Sequence, residues 1–223
     1  MAYEIQHLNE VMARVARSCV RAQRNVHDIT VVAATKYADA EQINLLLAAG
    51  VSDIGENIIQ DATAKLPNLM PCRKHFIGHL QSNKVGRALK LFDRIDSVDS
   101  FELAAKIDFM AEKLKKRIPI LLQVNIGADE NKFGLKPSEV LGFIEKIRKF
   151  YYLDIRGLMA ILPYFDDPEK ARPYFRSMKT LFDFCRERYK GFEVLSMGMS
   201  HDFEIAIEEG ATEVRVGSFL FKD

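Results

Sequence analysis

The chain has no long apolar run, no surplus of charge of either sign and no closely spaced cysteines. Without an apolar stretch of about 20 residues, no helix can span a bilayer. Charged and polar residues interrupt Met1 to Gln23 throughout, so no signal peptide is expected. Lysine and arginine number 32 against 31 for aspartate and glutamate, a net charge of +1, which leaves no electrostatic case for nucleic acid or an anionic membrane. Cys19, Cys72 and Cys185 form an odd set without a CxxC pair, the pattern of reduced thiols in a cytoplasmic protein. Short-period repeats, low-complexity segments, a Walker loop, a GxGxxG turn and a Ser-His-Asp order are also missing. What remains is 48% hydrophobic and 28% charged, the composition of one globular domain over 1–223 with a substantial core.

The pattern along the chain is an alternation. Residues 1–24 place Ile5, Leu8, Met12, Val15, Cys19 and Ala22 at three-four spacing, an amphipathic helix with Arg14, Arg17, Arg21 and Arg24 as its solvated face. Short apolar runs then recur at 30–36, 51–55, 75–78, 94–98, 119–125, 155–161, 193–196 and 212–216, each followed by a helical stretch. Such alternation predicts a (β/α)8 TIM-type barrel, with a doubly wound open sheet as the alternative. Only residues 217–223 follow the last strand, too few for a full closing helix, so the N-terminal helix is expected to cover the gap.

In a barrel all strand ends open onto one face, and the loops there carry the chemistry. Thr30 to Lys36 (TVVAATK) is a buried strand ending in a lysine, read either as a solvated charge or as a partly desolvated amine able to form a Schiff base. Glu56-Asn57, His79, Asn125, Met159, Ser196 to Ser200 and Arg215 to Ser218 share that mouth. Ser196-Met197-Gly198-Met199-Ser200 and Gly217-Ser218 follow strands seven and eight, where this fold recurrently binds phosphate. Arg215 sits between two valines and needs either a carboxylate or a ligand atom. Glu56 and Asp202 are possible acids or bases. His75 and His79 are four apart, but no third ligand stands near them, so the pair does not argue for a metal.

ATK at 34–36, DIGEN at 53–57, HFIGHLQSNK at 75–84, QVNIGADENKFGL at 123–135, RGLMAI at 156–161, LSMGMSHDFEIAI at 195–207 and VRVGSFLF at 214–221 together resemble the pyridoxal phosphate homeostasis family. That family is related to the N-terminal barrel of alanine racemase. The resemblance spans nearly the whole chain, with departures at Tyr37-Ala38-Asp39, where a proline often follows the lysine, at Lys74, where tryptophan is common, and in a short C-terminus. It implies that Lys36 carries pyridoxal 5′-phosphate (PLP) as an internal aldimine. It also implies that Ser200, Gly217 and Ser218 contact the phosphate, that Arg215 faces the pyridine nitrogen and that Asn57 lies near the ring. The racemase's second, β-rich domain has no counterpart here, and a monomer or weak dimer is implied. A guanidinium at the ring nitrogen disfavours its protonation and so weakens the electron sink. The expectation is a PLP holder serving vitamin B6 and amino-acid homeostasis, with PLP-dependent apoenzymes as possible recipients. A weak amino-acid racemase is the alternative, and a sugar-phosphate aldolase fits a barrel but not the motifs.

Overall fold

The apolar runs become strands and the three-four patterned stretches become helices. The computed structural model describes residues 3–129 and 132–221. Its strands are β1 (Thr30–Ala34), β2 (Asp53–Glu56), β3 (Arg73–Phe76), β4 (Arg94–Val98), β5 (Ile118–Val124), β6 (Leu153–Ala160), β7 (Val194–Ser196) and β8 (Glu213–Val216). The helices are α1 (Tyr3–Arg21), α2 (Ala40–Ala48), α3 (Ile59–Lys65), α4 (Val85–Leu91), α5 (Phe101–Leu114), α6 (Val140–Ile147), α7 (Arg172–Arg186), α8 (Phe203–Glu208) and α9 (Ser218–Phe221). Each strand pairs in parallel with the next, and β8 returns to β1 from Thr30↔Glu213 to Ala33↔Val216. The sheet is a closed (β/α)8 barrel, and the open-sheet alternative falls. Every residue of β5 except Pro119 is buried, because helices cover its outer face and the barrel interior its inner one.

The N-terminal helix does cover the seam. α1 packs against α8, α2 and the single turn of α9. Its buried stripe is Leu8, Val11, Val15, Ser18 and Cys19, whereas Met12, expected in the seam, is 42% exposed. From Leu8 the helical period continues through 11 and 15, and the step to 12 points off the contact face. Of the four arginines expected on the solvated face, Arg17 is exposed there but the other three are engaged. Arg14 pairs with Glu204 at 2.7 Å and Arg21 with Glu208 at 2.6 Å, while Arg24 donates to the carbonyls of Ile207 and Ala211. They fasten α1 to α8.

Inside the barrel, the layer nearest the strand N-termini is ionic. Asp53 accepts from both Arg73 and His75 Nε2, and Arg94 bridges Asp96 and Glu213 at 2.6–2.8 Å. Contacts between β4 and β8 require these side chains to meet across the interior. Arg215 lies two residues beyond Glu213 on the same strand face, one layer nearer the opposite mouth. Among the described residues, no helix is long and apolar enough to cross a membrane.

Candidate functional site

Beyond β1 the chain turns at once. Ala38 N–H donates to Thr35 O at 3.0 Å, closing a turn with Lys36 and Tyr37 at its centre. Asp39 then caps α2 through a reciprocal pair of bonds with Gln42, so the loop has no slack. Lys36 is exposed, which matches the solvated of its two readings. Its Nζ lies 4.7 Å from the centroid of the Tyr37 ring. An extended segment would send these neighbours to opposite sides, but the turn brings them together.

The other expected residues stand on the strand ends around this turn. Asn57 follows β2, and its Oδ1 is buried without a hydrogen-bond partner among the described residues. Arg215 is 3% exposed and donates to Ser196 Oγ at 2.6 Å and Ala160 O at 2.7 Å. Among the described residues no carboxylate is in salt-bridge range of it, so the ion pair weighed for a buried arginine is not made. Burial pushes its pKa down, and the more distant Glu213, Asp96 and Asp202 oppose that shift. Ser200 Oγ accepts from Gly217 N at 3.2 Å and Phe219 N at 3.4 Å, tying the loop after β7 to the end of β8. Ser218 is exposed beside them. A side chain on Gly217 would meet Ala34 O at 2.9 Å, so this glycine lets β8 close against β1 two residues before the lysine. Lys36, Asn57, Ser200, Arg215, Gly217 and Ser218 thus belong to four successive neighbours, β7-β8-β1-β2.

Several other residues assigned to the mouth have different work. Asn125 spends its side chain on the backbone of Asp129 and Lys132, and Gln123 donates to Phe133 O, so β5 tethers its own loop. Met159 is fully buried beneath the mouth. Glu56 turns away from the mouth to meet Thr35 Oγ1 and Lys65 Nζ, each at 2.6 Å, a connection the sequence did not reveal. Asp202 accepts from Met199 N at 2.7 Å; burial raises its pKa, and that bond opposes the rise. His79 stacks on Phe133 at 3.6 Å between centroids, whereas His75 lies in the ionic layer at the other end.

His75, Asp96 and Glu213 place donor atoms within 4.8 Å of one another, an arrangement invisible to a search along β3 alone. Arg94 already neutralises both carboxylates there, and a cation would have to displace it. A cleft of about 470 Å³ opens at that end, lined by Asp53, Arg73, His75, Arg94, Arg156, Glu193 and Glu213 among others. Its charges are largely paired with each other, while the unpaired Arg215 and the partnerless Asn57 Oδ1 lie toward the C-terminal mouth. The C-terminal end is therefore the candidate site.

Comparison with known proteins shows the family over nearly the whole chain. The family model for "Alanine racemase, N-terminal domain" matches residues 8–223. The pyridoxal phosphate homeostasis protein of Aquifex aeolicus (strain VF5) is 37% identical over 219 residues, covering 97% of this chain and 96% of its own. An unknown protein from Bifidobacterium adolescentis has a similar structure, with a TM-score of 0.91 at 33% identity, covering 98% of this chain and 94% of that one. PipY of Synechococcus elongatus PCC7942, solved with PLP bound, gives 0.80 at 32% identity, covering 95% of this chain and 99% of its own.

Proposed function

The chain belongs to the family of pyridoxal phosphate homeostasis proteins, and from that premise we propose that it binds PLP at the C-terminal mouth and holds it on Lys36 without robust turnover. The observation that carries this reading is the adjacency of Lys36 to an anion cradle across the β8–β1 seam, with Gly217 packed on Ala34. The bound cofactor supplies an aldehyde that reacts with amines and an aromatic ring that withdraws electrons.

The residues fit such a group. Ser200 and Ser218 provide hydroxyls suited to phosphate oxygens, and the N–H groups of Gly217 and Phe219 hold Ser200 Oγ in place beside the turn. Arg215 holds a positive charge that no carboxylate among the described residues pairs directly, and it is oriented by Ser196 and Ala160. It is a donor and cannot supply a proton acid near neutral pH. Asn57 Oδ1 is an acceptor awaiting a partner. Lys36, exposed on its turn, can be reached by a small aldehyde and by other proteins. A holder that limits free aldehyde and passes it to PLP-dependent apoenzymes needs that accessibility, and a monomer or weak dimer would leave the mouth open. Borohydride reduction of the PLP-loaded protein followed by peptide mapping tests the assignment. The pyridoxyl group should sit on Lys36, and its appearance on Lys65 or Lys84 instead would reject it.

A further inference from the structure

Thr35 and Glu56 immediately precede Lys36 and Asn57, and both are buried. Thr35 Oγ1 donates to Glu56 Oε1 at 2.6 Å, and Lys65 Nζ reaches the same oxygen at 2.6 Å. Lys65 also donates to Thr35 O at 2.8 Å, the carbonyl that Ala38 N–H uses to close the Lys36 turn. That carbonyl belongs to the peptide plane leading directly into Lys36. The three side chains therefore join the ends of β1 and β2 to the last turn of α3, with the lysine's backbone held in the join.

Stability alone does not account for this arrangement. A buried ion pair often contributes no more than well-packed apolar side chains of similar volume. The second carboxylate oxygen of Glu56 is buried without a partner among the described residues, which adds a desolvation cost. What the clasp does fix is direction. With the Thr35 carbonyl held by two donors, the turn has one geometry and Lys36 leaves it along one path. Covalent capture depends steeply on such placement, since small misalignments of reacting groups cost large rate factors.

We propose that Thr35, Glu56 and Lys65 are positioning residues that aim Lys36 for covalent capture of the cofactor. This rests on the reading that Lys36 captures PLP. In that step Lys36 Nζ adds to the aldehyde carbon, a carbon–nitrogen double bond forms and water leaves. The clasp touches neither the phosphate cradle nor Arg215, so it acts on bond formation and not on non-covalent binding.

The test compares PLP with pyridoxine 5′-phosphate, which has an alcohol in place of the aldehyde and cannot bond to the lysine. Wild type, Thr35→Val, Thr35→Ser and Lys65→Met are titrated with both, and attachment of PLP is followed by stopped-flow absorbance. Thr35→Val and Lys65→Met should slow attachment and weaken PLP binding about tenfold, the scale of one or two net hydrogen bonds, with pyridoxine 5′-phosphate affinity within about twofold of wild type. Thr35→Ser, which keeps the hydroxyl, should restore the wild-type rate. Parallel losses for both ligands in Thr35→Val, or no change in either, would overturn the positioning role. Lys65→Met keeps the question open to test should Thr35→Val fail to fold. Wild-type protein that binds PLP with no trapped adduct on Lys36 would instead overturn the underlying function, an outcome the variants do not mimic.

Discussion

Gly78 lies against the backbone of Asn57 so closely that a Cβ on the glycine would stand 2.3 Å from the Asn57 carbonyl oxygen. The contact is backbone to backbone, so no side-chain rotation relieves it. Gly78→Ala should therefore displace the end of β2 together with Asn57. Overpacking of this kind costs about 1–3 kcal/mol, readable as a lower urea midpoint. PLP affinity should fall with it, and a variant with unchanged midpoint and unchanged affinity would show that the two segments part freely.

The ionic layer at the other end makes stability depend on alkaline pH. Burial works against the charged form of His75, but its hydrogen bond to Asp53 and the nearby Asp96 outweigh that and raise its pKa to about 9. Nδ1 faces Asp96 Oδ2 at 3.7 Å, beyond hydrogen-bond range, so the 2.9 Å bond to Asp53 is the firmer of the two contacts. A raised folded-state pKa gives stability that is full below the unfolded value of roughly 6.5 and lost as pH climbs through the folded value. The whole contribution is on the order of 3 kcal/mol at most. Asp53 and Asp96 are held below the usual carboxylate range, against their burial, by His75 with Arg73 and by Arg94 with His75 respectively. Their share is present above roughly pH 4 and lost in acid. Urea midpoints measured from pH 6 to 10 should fall in the wild type, and His75→Gln should flatten that fall from a lower starting point. An identical slope in the variant would assign the pH dependence to other groups.

At the proposed phosphate site, Ser200→Ala removes the acceptor that gathers Gly217 N and Phe219 N, and also removes a hydroxyl donor. A hydrogen bond to a charged group is worth about 1.5–3 kcal/mol, so PLP affinity should drop at least about tenfold while pyridoxal is little affected. Equal losses for the two vitamers would place the phosphate elsewhere. Gly217→Val is a poorer probe, because its side chain would collide with Ala34 before it reached any ligand.

What the sequence revealed, and what it hid, follows from how far each interaction reaches along the chain. β4 was read as 94–98 and is found there, since a turn signal and a capping serine bracket it. β3 was placed at 75–78 and runs from Arg73 to Phe76. Its first residues are polar because they face the exposed N-terminal end of the barrel, so hydropathy alone started the strand late. The residues proposed to hold the cofactor stand out because the lysine, the Gly-Ser turn and the buried arginine each sit in a local pattern. The Thr35–Glu56–Lys65 clasp and the Arg94–Glu213 pair do not, being formed only once strands distant in sequence become neighbours or face each other across the barrel.

Racemisation removes an α-proton on one face of the substrate and returns it on the other, so it needs two positioned acid/base groups on opposite sides. Lys36 can serve as one. Tyr37 lies with the lysine, its ring 4.7 Å from Nζ, and so occupies the same side. His79 is engaged in stacking on Phe133, and His201 Nε2 is within 3.1 Å of Phe165 O. Arg215, set at the ring nitrogen in the proposed binding mode, would repel the proton that strengthens the ring as an electron sink. Both deficits raise the same barrier, so no racemase turnover above background is expected with alanine or other common amino acids, even at stoichiometric cofactor loading. Arg215→Gln removes the charge while keeping an amide donor for Ala160 O. It should alter the near-visible spectrum of the loaded protein without conferring turnover. Arg215→Glu is less informative, because it would bury a carboxylate above Glu213 and Asp96. Chiral chromatography of amino acids incubated with loaded wild type and with Lys36→Ala decides the matter. Rapid interconversion that depends on Lys36 would make this protein an enzyme instead of a holder.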